Sequence, residues 1–305
     1  MPGLFSFHRK FSQTGVDFLP TGVAVVEVSL SKGDAGSVRQ STFLPAAGQQ
    51  QQVAALGRWV DQHQLEKVHC NCLLARHDVQ LLQLEKPAVA ADEMQQAVKW
   101  KVKDLISYDV EKAVVEIFEL PHSPKTPKDF INAVVANEDT VQNYVDMIQH
   151  CGMSLQVLDV HELATKNYCQ LCDNEQSTVM LLQLFDAEGL ITIYHQGDLY
   201  VARDFKIGFL DIDAALNQDE ATYDALLLEL QRSMDYFESS YGLGQAQQMQ
   251  VFPLTDSTSR MARYLQNYVN YDIEFVKVSG ASDTSESVID HRCFPAYCAA
   301  LRGIS

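Results

Sequence analysis

A hairpin-led run of strands closed by a helix occurs twice along this chain, and that recurrence restricts the fold more than any single motif does. In the first copy, 23–30 reads VAVVEVSL, a run dense in β-branched residues, and 38–43 is its candidate antiparallel partner across a turn at 32–36. In the second copy, 179–184, 190–195 and 199–204 read as successive strands. Gly197 and Asp198 sit between the last two and signal a tight hairpin. The acidic, polar stretch 173–177 separates the copies and is the expected hinge.

The rest of the chain fills out an alternation of strands and helices. A polar run at 49–52 opens a helix carried by Val53, Leu56, Trp59 and Val60 at helical spacing. Strands are expected at 69–74 and 79–84, then an amphipathic helix over 91–105, with Met94, Ala97, Val98, Val102 and Leu105 on one face, after Pro87. A strand at 114–120, a Pro- and Lys-marked loop at 122–129 and a strand at 130–136 follow. A helix through Val141, Tyr144, Val145 and Ile148 stops at Cys151 and Gly152, before a strand at 155–160 and a helix at 162–168. Beyond the hinge, 222–241 is a long helix, 249–254 a strand, 259–268 a helix, 273–278 a strand and 295–301 a closing helix. This order predicts an α/β fold of mixed sheets covered by helices. Its halves are expected at 1–172 and 173–305, the closing helix belonging to the second.

Charge removes whole classes of function. The chain has 40 Asp and Glu against 23 Lys and Arg, a formal net charge of −17 and a pI near 4.8. Nucleic acid as principal ligand is excluded, because displacing counterions needs clustered Lys and Arg. No apolar stretch reaches the length of a membrane span, and the start, MPGLFSFHRKFSQ, lacks the apolar centre of a secretory signal. Seven cysteines at irregular spacing suit a reducing compartment better than a disulfide framework. The CxxC of Cys169 and Cys172 lies near a helix end, where residues three apart pack together, and no further ligands are spaced to complete a zinc site. No HExxH and no Gly-x-Ser-x-Gly occurs.

Several segments resemble the PilM family, the actin-like proteins of type IV pilus machines, and the degraded motifs look most like its MSHA-pilus branch. The most specific stretch is VQLLQLEKPAVAADEMQQAVKWKVKDLISYDVEKAVVEIFEL (79–120), a strand ending near Pro, a Glu/Ala/Lys-rich helix and a further strand. FINAVVANEDTVQNYVDMIQHCGMSLQVLDVHELA (130–164), VARDFKIG (201–208) and LLLELQRSMDYFESSYG (226–242) match further family segments in order. The resemblance implies an actin-like, ribonuclease H-like fold of two halves, with an α/β insertion at about 79–152 in the first half.

The same resemblance marks where nucleotide chemistry has eroded. A family hairpin of the form GIDIGSSSVKAVEL corresponds here to GVDFLPTGVAVVEV (15–28). Asp17 remains, but Leu19 replaces the glycine, Pro20 the serine and Ala24 the lysine. Proline has no amide to give a phosphate, and alanine has no cation. The second hairpin, DIG in the family, carries Gln183, Leu184 and Phe185, and the glycine-rich adenosine loop is replaced by 253–257, with Thr255 and Asp256. Asp17 reads as a solvated or capping carboxylate, and Asp186 as a turn residue rather than a shifted acid. No catalytic residue, cofactor or metal is expected, ATP with magnesium being the alternative. The implied partner is a PilN-like bitopic inner-membrane protein, whose cytosolic N-terminal tail would lie between the first subdomain and the insertion. The protein is expected in the cytoplasm, peripheral to the inner membrane through that partner, without inserting directly. A cytoplasmic part of a type II secretion L-type protein shares the fold and is the remaining alternative.

Overall fold

β1 (Ser12–Leu19) and β2 (Gly22–Ser29) form the antiparallel hairpin around which the first unit is built. The structure is a computed structural model, describing residues 12–30, 36–65, 68–119, 129–172, 178–215, 220–278 and 289–304. It divides into two compact units, the first comprising Met1–Glu119, Phe130–Tyr168 and Val278–Ser305.

In the first unit, β3 (Val38–Pro45) pairs antiparallel with β2, while β4 (His69–Leu73) and β8 (Ser154–Asp159) extend the sheet in parallel beyond β1. The strand order is β3-β2-β1-β4-β8. All of β2 is buried, which is why its sequence is a nearly continuous apolar run rather than an alternation. Against one face pack α1 (Gln49–His63) and α3 (Glu138–His150), bringing Leu56, Trp59, Val60, Tyr144, Met147 and Ile148 onto Val16, Phe18, Val25, Cys70 and Cys72. The other face receives α8 (Phe294–Ala300), every residue of which is buried. Because a helix apolar on all sides needs cover all round, α8 lies in the interior rather than on a surface.

This placement corrects the expected domain boundary. The closing helix was expected in the second half, yet it packs on β1, β2 and β4 of the first. Sequence gives the helix its apolar composition but not its address. The address is Gly15: a Cβ there would stand 1.8 Å from the Ala296 carbonyl oxygen and 2.8 Å from the Ala300 nitrogen. Only glycine lets the helix backbone come that close. Asn71 Nδ2 donates to the Ala299 carbonyl at 2.8 Å and Asn167 Nδ2 to the Cys298 carbonyl at 3.1 Å. Arg302 bonds Asp159 at the end of β8.

The insertion is a small antiparallel sheet of β5 (Val79–Glu85), β6 (Ala113–Glu119) and β7 (Phe130–Asn137) in the order β5-β7-β6. With α2 (Met94–Lys101) it encloses its own core of Val98, Val102, Val115, Ile131, Ala133 and Val135. Its end falls at Asn137, earlier than the expected 152. α3 turns Tyr144, Met147 and Ile148 into the main core instead, and the Tyr144 hydroxyl donates to Asp78 at 2.9 Å while accepting from the Ala75 amide.

The second unit takes in Cys169–Lys277. α4 (His161–Cys172) leads into it, so the boundary falls inside this helix, close to the expected hinge at 173–177, which lies outside the described residues. β9 (Thr178–Leu184), β10 (Gly189–His195), β11 (Asp198–Phe205), β12 (Gln248–Phe252) and β13 (Asp272–Phe275) form a sheet in the order β11-β10-β9-β12-β13. The β10–β11 hairpin is tight as expected, but its turn falls on Gln196 and Gly197, at φ 51 and 76°, one residue before the expected Gly197–Asp198 pair, because Asp198 already pairs in β11. α5 (Phe209–Ala214), α6 (Glu220–Tyr241) and α7 (Asp256–Leu265) complete the unit. The buried α6 residues Tyr223, Leu226, Leu227, Leu230, Met234, Phe237 and Tyr241 recur at helical spacing and form one stripe.

Gly15→Ala places a methyl group into the α8 backbone, so it is expected to cost about 1–3 kcal/mol. Urea denaturation of the variant should show a lower midpoint with an unchanged slope.

Candidate functional site

The first hairpin turns through Pro20 and Thr21, with Leu19 opposite Gly22. Its carbonyls are already taken. Gln52 of α1 donates to the Leu19 carbonyl at 2.6 Å, and Thr21 accepts from the Ala46 amide at 3.1 Å. Leu19 is half-buried and Pro20 is exposed. Ala24 lies directly across from Asp17 in the strand register, and both are fully buried. The structure thus brings four of the expected positions, Asp17, Leu19, Pro20 and Ala24, onto one hairpin.

Asp17 is neither solvated nor a helix cap, contrary to the sequence expectation. Its Oδ2 lies 3.1 Å from Nε2 of His161, at the start of α4, and His161 is itself buried. The second carboxylate oxygen, Oδ1, is buried and has no hydrogen-bond partner among the described residues. A buried carboxylate requires a compensating charge or donor, and His161 supplies it. Burial alone would depress the His161 pKa, but the charge and hydrogen bond of Asp17 outweigh it, with Glu162 adding to the rise and Arg76 opposing it. The net result is a pKa above 6.5. The family pattern had no histidine to point to here, so sequence reasoning missed His161.

In the second unit the β9–β10 tip runs from Phe185 to Glu188, closed by the Phe185 amide donating to the Glu188 carbonyl at 2.9 Å. Gln183 is buried within β9, beside Phe252 of β12. The N-terminal amides of α5 are spent on this tip: Phe209 donates to the Phe185 carbonyl at 2.6 Å and Leu210 to the Asp186 carbonyl at 3.0 Å. Asp186 is an exposed tip residue, as expected. Gly208 is where that contact requires glycine, since a Cβ would meet the Asp186 carbonyl oxygen at 2.4 Å.

Thr255 is the N-cap of α7. Its hydroxyl accepts from the Thr258 amide at 3.2 Å, and the Thr258 hydroxyl accepts from the Thr255 amide at 2.9 Å. Asp256 follows in the first turn, exposed, where a carboxylate complements the helix dipole. The helix starts earlier than the expected 259 because this reciprocal threonine box lacks the glutamate by which such boxes are usually read. Gln183, Phe185, Thr255 and Asp256 therefore gather at the carboxyl end of the paired strands β9 and β12.

Neither a protein-family model nor a curated protein matches the sequence. Solved structures do. A PilM–PilN type IV pilus biogenesis complex superposes with a TM-score of 0.70 at 17% identity, over 96% of this chain and 98% of the other. The cytoplasmic domain of EpsL, an inner membrane component of the type II secretion system of Vibrio cholerae, gives 0.54 at 12% identity, over 94% and 92%. A Bacteroides thetaiotaomicron protein with an actin-like ATPase fold gives 0.53 at 9% identity, over 89% and 94%. The fold is actin-like.

Within this actin-like frame, the cysteines are packing residues. Cys70, Cys72, Cys151, Cys169, Cys293 and Cys298 are buried. Burial pushes the Cys70 and Cys151 thiols up to about 12, far from the thiolate range that reactivity or metal binding needs. The Cys172 side chain lies outside the described residues. Among the described residues no group of three His, Cys, Asp or Glu could hold a metal, and no helix is long and apolar enough to cross a membrane.

A histidine whose pKa is raised by folding stabilises the folded state while protonated. That contribution is complete below the unfolded value near 6.5 and is lost as pH rises through the folded value. His161→Ala strands a buried carboxylate and is expected to cost about 3–5 kcal/mol at about pH 6. The difference from the parent protein in urea denaturation should shrink as pH is raised above 6.5.

Proposed function

We infer that this chain is a non-hydrolysing actin-like scaffold of a type IV pilus assembly machine, of the MSHA type and similar to MshI. In this reading it works in the cytoplasm and is held at the inner membrane by the cytosolic N-terminal tail of a PilN-like protein. The observation that carries the reading is the Asp17–His161 pair. The one acidic residue kept from the phosphate-binding hairpin is engaged by a protein side chain at 3.1 Å, and the lysine position beside it is a buried alanine. The α5 amides engaged by the second tip, the missing amide of Pro20 and the self-capped α7 support the same conclusion. The likeness to the PilM–PilN complex supplies the partner class.

The insertion offers the tail a place to add as a strand. α2 is bonded to both outer strands, with Gln95 Nε2 on the Val115 carbonyl of β6 at 2.9 Å, Lys99 Nζ on the Glu111 carbonyl just before β6 at 2.9 Å and Lys101 Nζ on the Glu85 carbonyl at the end of β5 at 2.7 Å. β5 is the other edge of that sheet and begins just after β4, at the junction of insertion and main sheet. An extended segment paired there gains backbone bonds for affinity and side-chain pockets for specificity. A synthetic PilN-like tail is expected to bind with micromolar affinity, about −8 kcal/mol, after the cost of ordering a flexible segment. Chemical-shift changes should fall within 79–137, and changes confined to residues beyond 178 would refute the assignment. The likeness to cytoplasmic EpsL favours a second reading, a type II secretion component, for which the same peptide should bind no better than a scrambled one.

Nucleotide separates a scaffold from an ATP-driven switch. With a dissociation constant of about 10 μM, about 1 mM ATP would add roughly 2.7 kcal/mol of stability. That would raise the melting midpoint by several degrees, at ~2 °C per kcal/mol or more. The scaffold reading expects a shift under about 1 °C with magnesium and ATP. An ATP-specific rise lost in Asp17→Ala would overturn it.

A further inference from the structure

At one end of the second unit, three segments converge that the proposed tail site does not use. β9 and β12 are parallel, and β11 runs the same way because both β9 and β11 are antiparallel to β10. The carboxyl ends of all three strands therefore lie together, and from them emerge the 185–188 tip, α5 and α7. The tip is bonded to α5 through the Phe209 and Leu210 amides, and α5 to α7 through the Ser257 hydroxyl donating to Asp213 at 2.5 Å.

On this braced frame stand Leu210, 59% exposed, and Leu254, 57% exposed, the most exposed large apolar side chains among the described residues. Half-buried Phe185 lies on the same frame. Helix capping does not account for Leu254. It precedes the N-cap, where an apolar residue commonly packs against the fourth helical position, but that position is Ser259. Leu210 lies in the first turn of α5 with its backbone fixed to the tip and its side chain in solvent. Water-exposed leucines on rigid backbone, rimmed by polar groups, are the composition of a protein interface. The rim carries Asp186, Glu188, Asp211, Asp213 and Asp256 against Lys206 and Arg260, an excess of negative charge.

We propose that this end of the second unit docks a short cationic segment of a partner protein, its apolar side chains on Leu210 and Leu254 and its Lys or Arg residues on the surrounding carboxylates. Where a nucleotide-binding relative needs room for phosphates, this surface is apolar and acidic, and it repels an anion while attracting a cationic peptide. The acidic rim governs encounter and salt sensitivity, and the leucines govern how long the segment stays. The surface is independent of the β5 edge, so the pilus-tail reading and this one stand or fall separately.

The test uses the full chain and a fluorescein-labelled peptide of about sixteen residues, with leucine and lysine at helical spacing. Two control peptides replace lysine by glutamate or leucine by alanine. Fluorescence anisotropy is expected to show binding of the leucine–lysine peptide alone, weakened by added salt. Leu210→Ser with Leu254→Ser, both at exposed sites, should lower the affinity on the order of tenfold at an unchanged melting midpoint. Asp256→Lys provides the charge arm and should weaken binding without touching the leucines. Crosslinks should fall on 185–188, 209–213 and 254–257. Equal binding by the double variant, equal binding of the alanine peptide, or crosslinks on the first unit would each overturn the proposal.

Discussion

The contact between Gly15 and the backbone of α8 is the constraint from which the first unit follows. A helix can lie that close to a strand only where the side chain is absent, and α8 then seals the face of the sheet that carries Gly15 and Asn71. Asn71 and Asn167 donate to the Ala299 and Cys298 carbonyls of the helix, and Asp159 holds the Arg302 guanidinium just beyond it. Here Gly15 serves packing.

The second hairpin follows the same economy. Backbone groups at the tips find partners within the protein: Gln52 donates to the Leu19 carbonyl at the first, α5 amides donate to the second, and threonines cap the start of α7. Asp17 extends this to charge, since its buried carboxylate is matched by an imidazole from the same unit.

Much of the architecture was legible because it is written in periodicity. The apolar run of β2, the Gly197 turn and the stripe of α6 each signal their element directly. What stayed hidden depends on distant partners. Nothing in FPAYCAA says that it belongs beneath β1, and nothing in α3 says that Tyr144 reaches Asp78 rather than the insertion. α5 is too short, at six residues, to display a helical period, and it escaped notice for that reason. At the site, the hairpin and loop positions were readable one by one, whereas His161 was not. Its role exists only because β1 and the start of α4 meet in space, 144 residues apart in sequence.

The return of α8 to the first sheet also sets an order of assembly on the ribosome. Gln13 and Arg302, joined by a hydrogen bond, are separated by 289 residues, and the continuous stretch Cys169–Lys277 of the second unit is synthesised between them. The usual progression, in which the N-terminal domain folds first, is therefore closed to this chain. The second unit can complete its core as it emerges, while the hairpin of β1 and β2 waits with one face uncovered. A nascent chain of this topology carries its first-made strands without the cover of α8 until its last residues are made.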